Sequence, residues 1–254
     1  MNSNSDLISI IMPTYNSSKT VCESIDSVLA QTYPNWELII TDDCSSDDTY
    51  ALVSSYAKND QRIKVFVNAI NSGAGVSRNN SIENANGRYI AFLDSDDLWK
   101  NKKLELQISF IKDNNYQLVY SGYDKIDSNG NYISRIIPPA KVSYDRLLKS
   151  NVIGCLTALY DTHTLGKVYM PTIRKRQDMA LWLKILKQTD YAYCIPESLA
   201  LYREGHQSLS SNKVKILFTQ WLFYRHYLKF DVFRSSYYFL NYIFYGLKKH
   251  GVKK

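Results

Sequence analysis

The sequence predicts an α/β fold on a mostly parallel sheet, and three observations lead there. Through the first hundred residues, short apolar runs alternate with stretches of helical period. Only a few polar residues separate each run from the next stretch, which is the spacing of βαβ units with right-handed crossovers. The chain, 254 residues and 45% hydrophobic, is large enough to bury a core without staples and too apolar to be disordered.

Each element follows in order. Residues 7–12 (LISIIM) form a short apolar run, the mark of a buried strand. Thr20, Val21, Cys22 and Glu23 spell a capping box. Val21, Ile25, Val28 and Leu29 then make a helical stripe that stops near Pro34. Residues 36–41 (WELIIT) are the next strand, and Asp47 or Asp48 can cap a helix running through Tyr56. Residues 63–67, 76–85, 89–93 and 102–114 continue as strand, helix, strand and helix. The rhythm then changes. Residues 118–123 and 132–137 flank Asn129-Gly130, a hairpin signal. Residues 174–188 contain a helix with Met179, Leu183 and Leu186 inward, and 191–195 and 199–203 read as two strands. From Lys213 onward the pattern is helical and aromatic.

The net charge of +7 lies in one place. Residues 213–254 carry nine Lys/Arg against Asp231, a charge of +8, and 13 of the 34 aromatic residues. The preceding 212 residues sum to −1, and this nearly neutral body makes nucleic-acid binding the least favoured reading of the basic tail. The four cysteines (Cys22, Cys44, Cys155, Cys194) are scattered, without zinc spacing, and read as reduced thiols of a cytoplasmic protein. No run approaches the roughly 20 apolar residues of a membrane span, and the N-terminus lacks the basic start of a secretory signal.

Ligands of an open α/β sheet bind beyond the C-terminal ends of its strands. Four such ends carry polar clusters: Pro13-Thr14-Tyr15-Asn16, Asp42-Asp43-Cys44-Ser45, Asn71-Ser72-Gly73-Ala74-Gly75 and Asp94-Ser95-Asp96-Asp97. One aspartate after a strand is ordinarily a turn former. Four clusters on one edge point to a site. Three carboxylates within four residues repel one another unless a cation sits among them. Oxygen donors without Cys or His select Mg²⁺ or Mn²⁺, held with substrate phosphates.

These strings resemble the inverting glycosyltransferase family 2 of GT-A fold. The resemblance is carried by IIMPTYN, DDCSSDDT, NSGAGVSRN and FLDSDDLW, then by RQDMALWLK and LYREGHQSLS, over about residues 7–211. It implies a catalytic domain at 1–212, with a nucleotide-binding half at 1–100 and an acceptor-binding half at 101–212, followed by a helical tail at 213–254. It implies that Pro13 and Tyr15 wall the nucleotide base and that Asp43 accepts the uracil N–H. Arg78 lies near the nucleotide, Asp94 contacts the ribose with Ser95 beside it, and Asp96 ligates Mn²⁺ or Mg²⁺. Asp97 supports either neighbour. Asp178, opening a helix, is the base that takes the acceptor proton, and Asp161 is the alternative acid. Here the family pattern reads Glu-Asp, whereas this chain has Gln177-Asp178. Tyr202, Arg203, Ser208 and Ser210 match a segment that closes over the diphosphate. His206 is displaced by one place, so Arg203 is weighted for the leaving phosphates.

The pattern is similar to bacterial O-antigen and capsule enzymes. It implies transfer of a hexose, glucose or galactose, from a UDP-sugar to a polyprenyl-diphosphate-linked N-acetylhexosamine. The implied product is β-linked, as β-1,3, in assembly of a polysaccharide repeat. A nucleotidyltransferase is the rival within enzymes, disfavoured because it needs no base such as Asp178. A non-catalytic sugar-nucleotide-binding protein is the rival outside them, separable by release of UDP. The tail's Trp221, Phe223, Tyr224, Tyr227, Phe230 and Phe233, interleaved with Arg225, Lys229 and Arg234, read as an interfacial surface. Lys248, Lys249, Lys253 and Lys254 add attraction to anionic lipid. The expected place is the cytoplasmic face of the bacterial inner membrane, held peripherally. The alternative is that these aromatics pack on the body.

Overall fold

The structure, a computed structural model, describes residues 6–204 and 213–251. Strands β1 (Ile8–Thr14), β2 (Trp36–Asp42), β3 (Ile63–Val67) and β4 (Tyr89–Phe92) pair in parallel in the order β3-β2-β1-β4. Helices α1 (Val21–Leu29), α2 (Thr49–Asn59) and α3 (Ala74–Glu83) make the crossovers, and α4 (Lys103–Asn114) follows. Alternation along β1 decides the layers. Ile8, Ile10 and Met12 face a core shared with Val21, Ile25, Val53 and Leu104, whereas Ile11 faces the opposite core with Ile82, Phe92 and Trp182. Strands β1, β2 and β4 are therefore buried on both faces, which explains their continuous apolar runs, while the edge strand β3 is only half-buried.

The second half is mixed rather than parallel. It adds β5 (Leu98–Trp99), β6 (Leu118–Ile126), β7 (Tyr132–Ile136), β8 (Lys141–Val142), β9 (Leu159–Asp161) and β10 (Ala192–Arg203). The path is β3-β2-β1-β4-β9-β6-β10-β5, with β7 on β6 and β8 on β10. Strand β9 runs antiparallel to both β4 and β6 and joins the two halves. Three residues are too few for a periodic signal, so the sequence does not announce it. The hairpin of β6 and β7 forms as expected, with Gly130 at φ 85°. The two strands expected at 191–203 are one strand, β10, whose register shifts between Ile195 and Ala200. Pro196 falls in that shift and lacks the N–H a regular ladder would use.

Helices α5 (Tyr144–Lys149), α6 (Thr162–Leu165), α7 (Gln177–Ile185), α8 (Lys213–Leu222) and α9 (Val232–Gly251) complete the described chain. A π-helical turn over Phe223–Tyr227 separates the last two. The reading of the tail's first aromatics as an interfacial surface is corrected here. Phe223, Tyr224 and Phe230 are buried in the core that also holds Trp182, and Tyr227 packs against it. The Tyr224 hydroxyl donates to the Leu148 carbonyl at 2.5 Å. The exposed apolar face belongs instead to α9: Phe233, Tyr237, Leu240, Phe244 and Leu247, spaced at four and three residues.

Candidate active site

The site lies at the C-terminal edge of β1, β2 and β4, and its loops are tied to one another by side chains. The capping box expected at α1 does not form. Thr20 Oγ1 donates instead to the Ser95 carbonyl at 2.8 Å, and Glu23 pairs with Arg203. The Ser17 and Ser95 hydroxyls share a 2.8 Å hydrogen bond, so Ser95 faces the loop after β1. Pro13 is buried within β1 opposite Thr41, and Tyr15, just beyond, is 51% exposed. Asn16 and Cys44, in the loops after β1 and β2, and Arg176, just before the helix at Gln177–Ile185, take positive φ values of 47°, 63° and 64°. Backbone strain of this kind persists where surrounding contacts impose it.

Asp43 is buried and fixes the loop after β3. Its carboxylate accepts from Asn68 Nδ2 at 2.7 Å, the Ser72 N–H at 2.9 Å and the Gly73 N–H at 2.7 Å. That loop starts α3, which carries Arg78. Gly75 lies so close to Gln177 that a Cβ there would meet its amide at 2.7 Å. Gln177, in the place of the family's glutamate, thus packs toward α3, and its Oε1 lies 3.5 Å from Arg78 Nη1.

Arg78 is buried and pairs with Asp94. Burial would lower its pKa, but the charge of Asp94 and the hydrogen bond to it raise it, so the guanidinium stays charged. Asp94, Ser95, Asp96 and Asp97 form a tight turn, closed by the Asp97 N–H on the Asp94 carbonyl at 3.1 Å. Part of the Asp96 surface is open. Protein packed around its carboxyl group, and then the charge of Asp94, push its pKa up to about 6. Burial, then the charges of Asp96 and Asp94, raise Asp97 well above the usual carboxylate range. Arg203 is buried behind the turn. Its Nε donates to the Asp96 carbonyl at 3.0 Å, its Nη1 to the Ser128 carbonyl at 3.1 Å, and its N–H to Asp97 Oδ1 at 3.0 Å. It holds the acids in place rather than standing at the cleft mouth. His206, Ser208 and Ser210 lie outside the described residues.

The turn suits a hard cation. No side chain among the described residues donates a hydrogen bond to the Asp96 carboxylate, and its neighbours are hard oxygen donors. No three His, Cys, Asp or Glu side chains gather into a cage among the described residues. The fit is to an ion held by one or two carboxylates plus ligand oxygens.

Asp178 sits across the cleft in the first turn of α7. Trp182, one turn later, is fully buried and meets Phe92 of β4 edge-on at 5.5 Å, which sets the helix beneath the sheet. The helix is capped by Arg176 in a left-handed conformation, without a side-chain cap bond. Arg176 in turn donates to the Tyr242 hydroxyl of α9 at 2.8 Å. Asn151 Nδ2 donates to Asp178 Oδ2 at 2.8 Å. Asp161, the alternative acid, is buried in a 2.7 Å ion pair with Arg88 and accepts the His163 N–H.

Two hollows meet at Asp178. One, about 290 Å³, is lined by Arg78, Asp94, Asp97, Gln177 and Tyr202. The other, about 610 Å³, is lined by Ile136, Pro139, Arg146, Asn151, Ile153 and Tyr245. Asp178, Tyr123 and Gly154 belong to both. The sequence offers no signal for Asn151, Tyr123, Arg146, Tyr242 or Tyr245, which lie in no motif and come together only through the fold.

A strand edge with an acid turn, facing a helix-borne carboxylate, defines a transferase of GT-A type. Residues 9–165 match the family described as Glycosyl transferase family 2, and the chain belongs to that family. A Bacillus subtilis protein named for teichuronic acid biosynthesis as a glycosyltransferase, TuaG, is 41% identical over 244 residues, covering 96% of this chain and 97% of its own. The Escherichia coli UDP-Glc:alpha-D-GlcNAc-diphosphoundecaprenol beta-1,3-glucosyltransferase WfgD is 43% identical over 245 residues, covering 96% of this chain and 95% of its own. The crystal structure of Staphylococcus aureus TarS 1–349 with UDP-GlcNAc superposes with a TM-score of 0.70 at 21% identity, over 93% of this chain and 71% of that one. That likeness bears on the fold.

Proposed function

We propose that this glycosyltransferase moves a hexose, glucose in the first instance, from a UDP-sugar to a lipid-diphosphate-linked N-acetylhexosamine with inversion, forming a β-1,3 linkage. The observation that carries the reading is the position of Asp178 on the wall shared by two hollows. The likeness to WfgD supports the choice of donor and acceptor.

Donor and acceptor occupy opposite sides of Asp178. The smaller hollow takes the UDP-sugar, with Tyr15 and Pro13 against the base and Asp43 on the uracil edge. Asp94 and Ser95 serve the ribose side. Arg78 stays charged next to Asp94 and so faces the negative charge that grows on the departing diphosphate. Asp178 accepts the proton of the attacking hydroxyl as the new bond forms on the face opposite the leaving group. Asn151 orients that carboxylate through its amide. Arg203 supports the reaction by fixing the acid turn. Asp96, with Asp94, would hold Mn²⁺ or Mg²⁺. Such an ion, when bound, supplies Lewis-acid stabilisation to the diphosphate.

In this reading the exposed face of α9 holds the enzyme against a membrane surface, on the cytoplasmic side where a lipid-linked acceptor is met. No described helix is long and apolar enough to cross a bilayer. The exposed stripe of α9, flanked by Arg234 and Lys248, has the form of an interfacial helix. The test is a panel of UDP-sugars with a synthetic GlcNAc-diphosphate-lipid. UDP-glucose should be the best donor and NMR should show a β-1,3 product. A product of another linkage would overturn the regiochemistry.

A further inference from the structure

The larger hollow contains cations that the transfer chemistry does not use. Arg135, Arg146 and Lys248 all line it, while Asp178 is the one acid among its described lining residues, at the edge shared with the donor side. Arg135 is already matched, since Asp124 receives it at 2.7 and 3.2 Å. Arg146 is different. No carboxylate pairs with it among the described residues, and its Nη1 is buried without a hydrogen-bond partner. Its guanidinium lies over the Tyr245 ring, 4.1 Å from the centroid, so its plane is set by α9. Lys248 stands three residues further along α9 and is exposed. Much of the remaining lining is apolar: Ile136, Ile137, Pro138, Pro139, Val152 and Ile153.

A buried guanidinium edge without an acceptor is costly unless a ligand supplies one. Diphosphate oxygens do so, because the planar fork of arginine pairs with phosphate in a bidentate way. An apolar wall beside that anchor suits a hydrocarbon chain leaving the diphosphate. The volume, about 610 Å³, is that of a small-molecule site rather than of one ion. We infer that this hollow is a prenyl-diphosphate subsite, with Arg146 on Tyr245 as the diphosphate anchor, Lys248 as a second cation and Ile136 to Pro139 as the bed of the first prenyl units. The inference rests on the reading of the acceptor as a lipid-linked diphosphate. It adds that the C-terminal helix forms one wall of the acceptor site, so α9 takes part in substrate selection.

Binding can be read without catalysis. Farnesyl diphosphate, titrated calorimetrically into protein saturated with UDP so that the donor side is filled, should bind. Farnesol should bind far more weakly. Arg146→Gln should weaken farnesyl diphosphate by at least about tenfold, and Lys248→Glu by roughly three- to tenfold, as loss of charge-assisted contacts predicts. In transfer assays the preference for GlcNAc-diphosphate-lipid over an alkyl GlcNAc glycoside should fall about tenfold in Arg146→Gln. Circular dichroism checks the fold, and if Arg146→Gln does not fold, the exposed Lys248→Glu decides. Wild-type affinity in the folded variants, or no binding of farnesyl diphosphate by the wild type, overturns the subsite. Arg146-dependent binding in a protein that transfers no hexose to GlcNAc-diphosphate-lipid would leave the subsite standing and overturn the proposed sugars instead.

Discussion

The proposed donor side and the proposed acceptor side of Asp178 are built by different means. On the donor side, consecutive residues at three strand ends are locked by short hydrogen bonds: Asp43 on Ser72 and Gly73, Thr20 on Ser95, Arg203 on Asp96 and Asp97. Each of these bonds joins a side chain to a backbone group. On the acceptor side, single side chains arrive from the loop after β7, from α5, from α7 and from α9, and they meet through cation–π contacts and single hydrogen bonds. The first construction is preorganised, as the proposed binding of a constant diphosphate requires. The second can change its specificity one side chain at a time. Lesions on the donor side should therefore disturb binding, catalysis and stability together, while lesions on the acceptor side should separate them.

The largest effect should come from the acid turn. Asp96→Ala should lower transfer by at least about 10³-fold, and EDTA should abolish it until Mn²⁺ or Mg²⁺ is restored. Full activity in EDTA would remove the ion from the account. Arg78→Met comes next. It leaves Asp94 without its partner, and urea denaturation should show a loss of about 1–3 kcal/mol alongside weaker UDP-sugar binding. A stable variant with impaired donor binding would mean that Arg78 is not part of the frame.

On the acceptor side the effects should be smaller and cleaner. Tyr242→Phe removes only the hydroxyl that holds Arg176 at the start of α7. A loss of about 1 kcal/mol, or some fivefold in kcat, is expected, with the KM for UDP-sugar unchanged. Unaltered kcat would uncouple the tail from Asp178. The smallest effect on chemistry belongs to the exposed stripe. Phe233→Ser with Leu240→Ser should weaken sedimentation with anionic vesicles by roughly tenfold, since two apolar contacts are lost. Activity on a water-soluble acceptor should not move. Undiminished vesicle binding would assign the stripe to another partner.

The same contrast explains what could be read from the chain. Strands 7–12, 36–41 and 89–93 announce themselves because burial on both faces demands continuous apolar runs, and the edge strand 63–67 by its β-branched and aromatic residues; the acids follow because strand ends must stop. Thr20 and Glu23 mislead. Their spacing fits a cap, but Ser95 and Arg203, distant in sequence, bind them more favourably. β9 is invisible, since three residues carry no period. The aromatics at 221–230 look interfacial because composition cannot distinguish a ring facing lipid from one facing a core. Arg146 and Tyr245, about a hundred residues apart, are joined by the docking of α9, which no local pattern encodes.

The central claim is that Asp178 joins a donor hollow to an acceptor hollow as the base of the transfer. Asp178→Asn tests it directly, because the amide keeps the size of the carboxyl group and can still bond Asn151. UDP-sugar binding, measured by titration, should remain near wild type, while the transfer rate to GlcNAc-diphosphate-lipid should fall by roughly 10²–10⁴-fold, as expected of a lost general base. A variant that binds the donor normally and retains most of the transfer rate would contradict the account.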